Sequence, residues 1–407
     1  MYDLVVIGSG AAGIMAAITA KNNGNSVLLL EQQNKISPKL KATGGGRCNL
    51  TNTLSHDEFI SYFGKSSRFI ASALEQFDYK KLTSFMTSIG VATHAPDGFR
   101  IFPTTHSSQT IIDGLLTHMN KIGVEVKCTQ KVINIKKDDI FKITTNNEIY
   151  KSKNLLIATG GKGYENLGAS GDGYKFASQL GHKITSLYPA MMPLFVKNSW
   201  VQNCRADTVA KVQMTVNIKK YKKLNAMGDL IFTRNGIRGP VVLDFAREIT
   251  PLFDKYDEIP ILCNLIKGKN EDDLIKFLKE QALLNPSFTV FQHLEKILAK
   301  SIIEQLAKEV DINIDVTYKN LTGTKKADFI KIICNTPLTI SGHDGFRLAM
   351  ITRGGIALKE IDSKTMQSKL IDGLYFAGEV VDIDGPCGGY NLQWAFSSGY
   401  VAGMLQK

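Results

Sequence analysis

Behind Asp3, residues Leu4–Ile7 form an unbroken apolar run, the pattern of a strand buried on both faces. Gly8-Ser9-Gly10-Ala11-Ala12-Gly13 interrupts it. Ile14–Lys21 is then rich in Ala and larger apolar residues, as a packed helix requires. Asn23-Gly24-Asn25 stops that helix, Ser26–Leu30 repeats the buried-strand pattern, and Glu31 closes it. The order predicts a strand–turn–helix–strand unit. Further along, Asn154–Ile157 is another buried strand and runs into Ala158-Thr159-Gly160-Gly161. Between Gly123 and Ile157 the runs Val124–Cys128, Val132–Lys136, Phe141–Thr145 and Glu148–Ile157 alternate, predicting a small antiparallel meander.

From about Tyr188 to Ser341 the pattern changes. Val209–Lys219 and Asp229–Thr233 alternate like strands. Glu271–Leu283 and Ser287–Val310 carry apolar residues at helical spacing, among them Phe291, Leu294, Leu298, Ile302, Ile303 and Leu306, which read as core. Thr336–Ser341 returns to a strand, and Leu348–Leu358 leads back to the first pattern. The expected organisation is residues 1–188 as the first part of a dinucleotide-binding domain, 189–341 as an inserted β-rich domain with a helical subdomain, and 342–407 as the second part. Such an insert is expected to build a substrate pocket at a domain interface.

The first thirty residues carry definite chemistry. Gly8 allows a tight turn, Gly10 lets backbone approach a pyrophosphate, and Gly13 lets helix pack closely on strand. The helix N-terminus offers free N–H groups and a positive dipole end to phosphates. Glu31 stands where a carboxylate holds ribose hydroxyls and disfavours a 2′-phosphate, leaving FAD or NAD. Three further segments favour FAD. Thr43-Gly44-Gly45-Gly46-Arg47-Cys48-Asn49-Leu50-Thr51-Asn52 is a poor core segment, but its bare backbone suits a planar ring. Asn154–Gly161 ends in a glycine pair, and Ser170-Gly171-Asp172-Gly173-Tyr174 opens another helix. At the C-terminus, Gly373–Glu379 is a strand followed by Gly and an acid. Asp382–Gly385 then forms a loop, and Gly388-Gly389-Tyr390-Asn391-Leu392-Gln393-Trp394-Ala395 opens a last helix. That arrangement suits ribityl hydroxyls and the negative charge of a reduced flavin.

Composition changes little. The 407 residues imply two or three domains, and 43% hydrophobic with 21% charged residues is ordinary for a globular chain. No apolar run is long enough to span a bilayer and no secretory signal is read, so a cytoplasmic location is expected. The six cysteines, Cys48, Cys128, Cys204, Cys263, Cys334 and Cys387, show no CxxC or CxxxxC spacing, so neither disulfides nor a metal site is expected. The net charge is +11, and its densest run, Lys219-Lys220-Tyr221-Lys222-Lys223, reads as a solvated hairpin.

With these motifs together, the chain resembles the bacterial BaiN-like flavoproteins, also called aminoacetone-oxidase-family FAD-binding or NAD(P)/FAD-dependent oxidoreductases. The resemblance covers essentially the whole chain. It rests on TGGGRCNLTN at 43–52, ATGG at 158–161, GDGY at 171–174, TRGG at 352–355, and LYFAGEVVDIDG followed by GGYNLQWAFSSG through 399. It implies an α/β fold with a Rossmann-like, glutathione-reductase-like FAD domain and a large β-rich insertion. By that resemblance FAD contacts would fall on Gly8, Gly10, Ala11, Ala12 and Gly13, and on Glu31, Gln32 and Lys39. Others would fall on Gly45, Gly46, Arg47, Cys48 and Asn49, and on Val132 through its backbone beside the adenine. The remainder would be Thr159, Gly160 and Gly161, then Gly378, Glu379, Asp384, Gly389, Tyr390, Asn391, Leu392 and Ala395. The chain departs from the family where Gly-Arg-Lys is replaced by Ser37-Pro38-Lys39, and where a His and a Ser are replaced by Arg234 and Arg238. If the latter segment borders the substrate, this member favours a more anionic ligand.

The expected activity is FAD-dependent hydride transfer to or from a small organic substrate. A nicotinamide nucleotide bound transiently, or oxygen, would be the redox partner, since no second GxGxxG unit exists for NAD(P)H. Because the flavin carries the reaction, no protein nucleophile is required. Arg47, Cys48 and Asn49 are the candidates nearest the ring, His343, Arg353 and Arg100 are candidates for substrate binding or proton transfer, and Cys48 reads first as a small packing residue. Two alternatives remain open: a flavin-dependent RNA-modifying protein, suggested by the +11 charge, and a flavin redox sensor without turnover. The sequence leaves the oligomeric state open.

Overall fold

The computed structural model describes residues 1–405, which divide into two compact units. Met1–Pro189 and the segment from Met350 onward make the first, and Ala190–Ala349 the second.

The first unit is built on a parallel sheet. Glu125–Lys127, Val27–Leu30, Tyr2–Ile7, the second half of Ile149–Ile157, and Leu374–Phe376 lie side by side in that order. In register, Val5 faces Leu28 on one side and Leu155 on the other, and Leu156 faces Tyr375. Leu4, Val5, Leu28, Leu29 and Leu155–Ile157 are fully buried, which is why these strands read as continuous apolar runs. Helix Ala11–Asn22 packs against the last helix, Tyr390–Gly403, through small residues. A Cβ on Gly399 would overlap Ala12 O, and one on Gly403 would overlap Ala16 O.

The meander differs from expectation in one strand. Val132–Lys137, Phe141–Thr145 and the first half of Ile149–Ile157 are antiparallel as predicted. Glu125–Lys127 instead pairs parallel with Val27–Leu30 at the sheet edge. Helix Ser108–Ile122 lies immediately before it, so this strand enters the sheet through a crossover rather than a hairpin. Its three residues were too few to show which partner they had.

The second unit is a closed six-stranded barrel in the order Leu194–Val196, Gly236–Arg238, Asn225–Phe232, Thr208–Val216, Ile259–Asn264 and Thr336–His343. Thr336–His343 closes the ring by pairing back on Leu194–Val196. Alternate residues point inward, among them Val212, Met214, Val216, Ile259, Ile261 and Cys263, all fully or almost fully buried. The expected boundary at 341/342 falls inside that closing strand, which carries the unit on to Ala349. The helical spacing expected over Ser287–Val310 is realised as two helices, Val290–Leu294 and Lys300–Glu309. Thr289 and Gln292 form a capping box that starts the first of them.

Candidate cofactor site

A cleft opens in the first unit at the C-terminal ends of its parallel strands, where open α/β sheets bind ligands. The dinucleotide turn forms one wall. A Cβ on Gly8 would lie 2.6 Å from Ala158 O, and Gly8 has φ +102°, so only glycine turns here. A Cβ on Gly10 would meet nothing within 4 Å, so bare backbone faces the open space. The helix beginning at Ala11 has no side-chain N-cap and no acid in its first turn. Its N–H groups are therefore free for an anion. The last helix, also lining the cleft, begins at Tyr390 in the same way, with no side-chain cap and no acid.

Glu31, nearly buried, ends the second strand and reaches back to the turn. Its Oε2 accepts from Ser9 N at 3.1 Å and from Ser9 Oγ at 2.5 Å, and its Oε1 accepts from Gln33 N at 2.8 Å. Across the cleft, Lys39 Nζ lies 2.7 Å from Glu379 Oε2, while Glu379 Oε1 accepts from Thr352 N at 2.8 Å. A cation is thus held at the cleft by a carboxylate that is itself fixed by backbone. Gly161 sits behind this pair, where a Cβ would overlap Glu379 Oε1 and Thr352 Oγ1. Thr159 lines the cleft, while its Oγ1 is buried against Gly173 and has no hydrogen-bond partner. A neighbouring hollow shares Gly8, Glu31 and Thr159 with the main cleft and adds Gln32, Val132 and Phe176.

These features fit FAD. The backbone at Gly10 is bare toward open space, and two helix N-termini without side-chain caps or first-turn acids lie at the cleft, where they would receive the negative charge of its phosphates and its ring. Of the expected contacts, Gly8, Gly10, Ala11, Ala12, Glu31, Lys39, Thr159, Gly160, Gly378, Glu379, Asn391, Leu392 and Ala395 line the main cleft, and Gln32 and Val132 line the smaller one. Gly13 lies behind the turn, where a Cβ would overlap Gly8 O.

The TGGGRCN segment is placed differently. Only Thr43 lines the cleft; Gly45, Gly46, Arg47, Cys48 and Asn49 do not. Asn49 bridges two loops instead, donating to Thr51 O and accepting from Gly389 N, each at 3.1 Å. Tyr390 is buried among Phe59, Tyr62 and Phe63. Asp384 lies 4.0 Å from Arg353. Arg47 is exposed, with its guanidinium 5.6 Å from the Phe102 ring centroid. Cys48 is fully buried and burial pushes its thiol up to about 11, which suits packing and not nucleophilic chemistry. Arg100 is exposed and paired with Asp97 at 2.6 Å, which holds that carboxyl at about 2. His343 belongs to the barrel unit, half-buried against Phe253, with Nδ1 accepting from Gly345 N at 3.0 Å. Burial lowers its pKa. Ser9 and Trp394, inside the expected contact segments, also line the cleft, whereas Ser37 was missed; the αL backbone that it adopts leaves no mark in sequence.

Among the described residues no helix is long and apolar enough to cross a membrane.

Comparison with known proteins gives the same picture. The family model described as HI0933-like protein Rossmann domain matches residues 2–405. The chain is 30% identical over 99% of its length to a 3-dehydro-bile acid delta(4,6)-reductase of Clostridium scindens, covering 98% of that protein. It is likewise 30% identical over 98% of its length to a ribosomal RNA dihydrouridine synthase of Escherichia coli, covering 96% of it. In fold it is similar to a 3-ketosteroid delta1-dehydrogenase from Sterolibacterium denitrificans, with a TM-score of 0.54, 11% identity, and coverage of 99% of this chain and 98% of that one.

Proposed function

The chain belongs to the HI0933-like Rossmann family and is a FAD-dependent oxidoreductase, and from that premise we propose that it saturates an electron-poor carbon–carbon double bond in a small organic substrate. The two similar proteins' names share that chemistry, one reducing a bile acid at its 4,6 double bonds and the other forming dihydrouridine. Bound and reduced, FAD supplies the hydride. The chain's own residues do the rest. The turn Gly8–Gly13 and the helix behind it hold the pyrophosphate by N–H groups, and Glu31 takes the adenosine ribose. Lys39 balances the Glu379 carboxylate so that a doubly charged pyrophosphate is not repelled. The N-terminus of Tyr390–Gly403 would offer its positive dipole end to negative charge on the bound, reduced flavin.

The observation that carries this reading is the Lys39–Glu379 pair set opposite the uncapped Gly8–Gly13 turn in one cleft. A nicotinamide nucleotide serves as donor in this reading. Arg234 and Arg238, both exposed, favour an anionic substrate. The test is anaerobic titration of the yellow protein with NADH and with NADPH, followed by enone substrates with and without a carboxylate. Bleaching by one donor and recolouring by a carboxylated enone support the proposal. A flavin that no donor bleaches overturns it. An Arg238→Glu variant that turns over carboxylated and neutral enones in the wild-type ratio removes the anionic preference.

A second reading, in which the double bond belongs to a uridine in RNA, is favoured by the basic stretch of the barrel. Nine basic and two acidic residues occur from Lys197 to Arg238, including the lysines of the Lys219–Tyr221 turn and its flank. It requires RNA binding that weakens steeply with salt, and a mass gain of two hydrogens on a uridine. Absence of any RNA shift at low salt removes it.

A further inference from the structure

The phosphate turn is fastened from behind. Ser9 and Ser37 are both fully buried or nearly so, yet they lie 28 residues apart in the chain. Ser9 Oγ donates to Glu31 Oε2 at 2.5 Å and accepts from Ser37 N at 3.1 Å. Ser37 Oγ donates to Ser9 O at 2.5 Å. With the Ser9 N–H also bonded to Glu31 Oε2 at 3.1 Å, the amide, the carbonyl and the hydroxyl of Ser9 are all committed to the 31–37 connection.

Ser37 adopts this position at a conformational cost. Its backbone is left-handed, with φ 55° and ψ 40°, and it precedes Pro38, a neighbour that further restricts it. A strained non-glycine residue persists only where its surroundings over-determine it. Here the determining contacts are the two bonds to Ser9. Lys39, two residues on, pairs with Glu379 across the cleft, so one short connection joins the turn, the ribose carboxylate and the cleft cation.

We infer that Ser9 and Ser37 form a two-hydroxyl clasp that pre-organises the adenosine-diphosphate half of the cofactor site. With the clasp intact, the turn, Glu31 and Lys39 stand in their binding positions without the cofactor, and no ordering cost is charged to binding. Ser9 and Ser37 are positioning residues that touch the cofactor only through the backbone they hold.

The test uses apoprotein of the full chain, with ADP and FAD as separate probes, and thermal unfolding of each apo variant. Ser37→Ala removes the hydroxyl and keeps the left-handed strain. Ser37→Gly removes both. The clasp predicts that either variant binds ADP and FAD about tenfold more weakly, and by the same factor, since a buried hydrogen bond is worth about one such factor. It predicts further that Ser37→Gly unfolds at a higher temperature than Ser37→Ala while its ADP affinity stays low. A merely structural role would instead restore affinity along with stability in the glycine variant. Unchanged ADP affinity in Ser37→Ala overturns the inference, as does a loss confined to FAD. Ser9→Ala, which leaves Ser37 unsubstituted, is expected to reproduce the ADP defect, and a wild-type ADP affinity there also overturns it.

Discussion

In the dinucleotide unit the buried Ser9, Ser37 and Glu31 bond one another, whereas in the barrel unit the buried imidazole of His293 and the buried hydroxyl of Tyr318 have no partner. Both regions bury polar atoms, and burial without a hydrogen bond costs about 1–3 kcal/mol per group. Around Ser9 that cost is offset by charge-assisted bonds that make a rigid turn, although Thr51, Tyr150 and Gln393 of the same unit each keep an unpartnered buried polar atom. In the second nothing offsets it: His293 has the Phe288 ring at 5.9 Å, and Tyr318 has Lys326 Nζ 3.9 Å from its ring centroid. Thr159 is a third case: the residue lines the cleft, but its unpartnered hydroxyl is buried against Gly173.

The comparison breaks first at the turn. Gly13→Val places a branched side chain against Gly8 O and is expected to cost about 3 kcal/mol or more, with purified protein losing its flavin. Denaturant unfolding and the visible spectrum check both. Lys39→Met comes next. It removes the cation beside Glu379, and flavin-fluorescence quenching is expected to show FAD affinity about tenfold lower. Wild-type affinity in that variant would detach the pair from the cofactor.

His293→Leu is expected to act in the opposite direction, stabilising the protein by about 1–2 kcal/mol because an unsatisfied buried imidazole is replaced by an apolar side chain. The effect depends on pH in a definite sense. Burial holds the folded imidazole below its ordinary 6.5, so the unfolded chain takes up the proton first as pH falls. Stability contributed by neutral His293 is complete above about pH 6.5 and declines as pH drops from there toward the folded value. The leucine variant lacks that decline, which unfolding curves across the window will register. The smallest effect is expected at Cys48. Its buried thiol, raised to about 11, resists alkylation in the native state while exposed Cys387 reacts, and Cys48→Ala leaves turnover close to wild type.

The adenosine half of the cleft was legible because its chemistry is local. A tight turn, a close approach and a helix start each need glycine at a fixed offset, and Glu31 follows at the end of the next strand. The TGGGRCN segment was legible as special but not as to role. Gly44 and Gly45 are left-handed, as three glycines in a row suggest, yet Arg47 turns to solvent and Cys48 into the core, which no spacing rule distinguishes. The barrel was the least legible. Leu194–Val196 and Gly236–Arg238 are three residues long, too short for alternation to register, and ring closure pairs Leu194 with His343 across almost the whole insert.

The sequence by itself determined a dinucleotide site, its first two buried strands and the helix between them, since these follow from residue type and periodicity within thirty residues. The tertiary structure alone decided what long-range contacts create. It brought Ser37 to Ser9 and Lys39 to Glu379, closed the barrel through His343, and left His293 without a partner. The physical reason is that backbone geometry is encoded locally, whereas the partner of a buried side chain is whatever the folded chain places beside it.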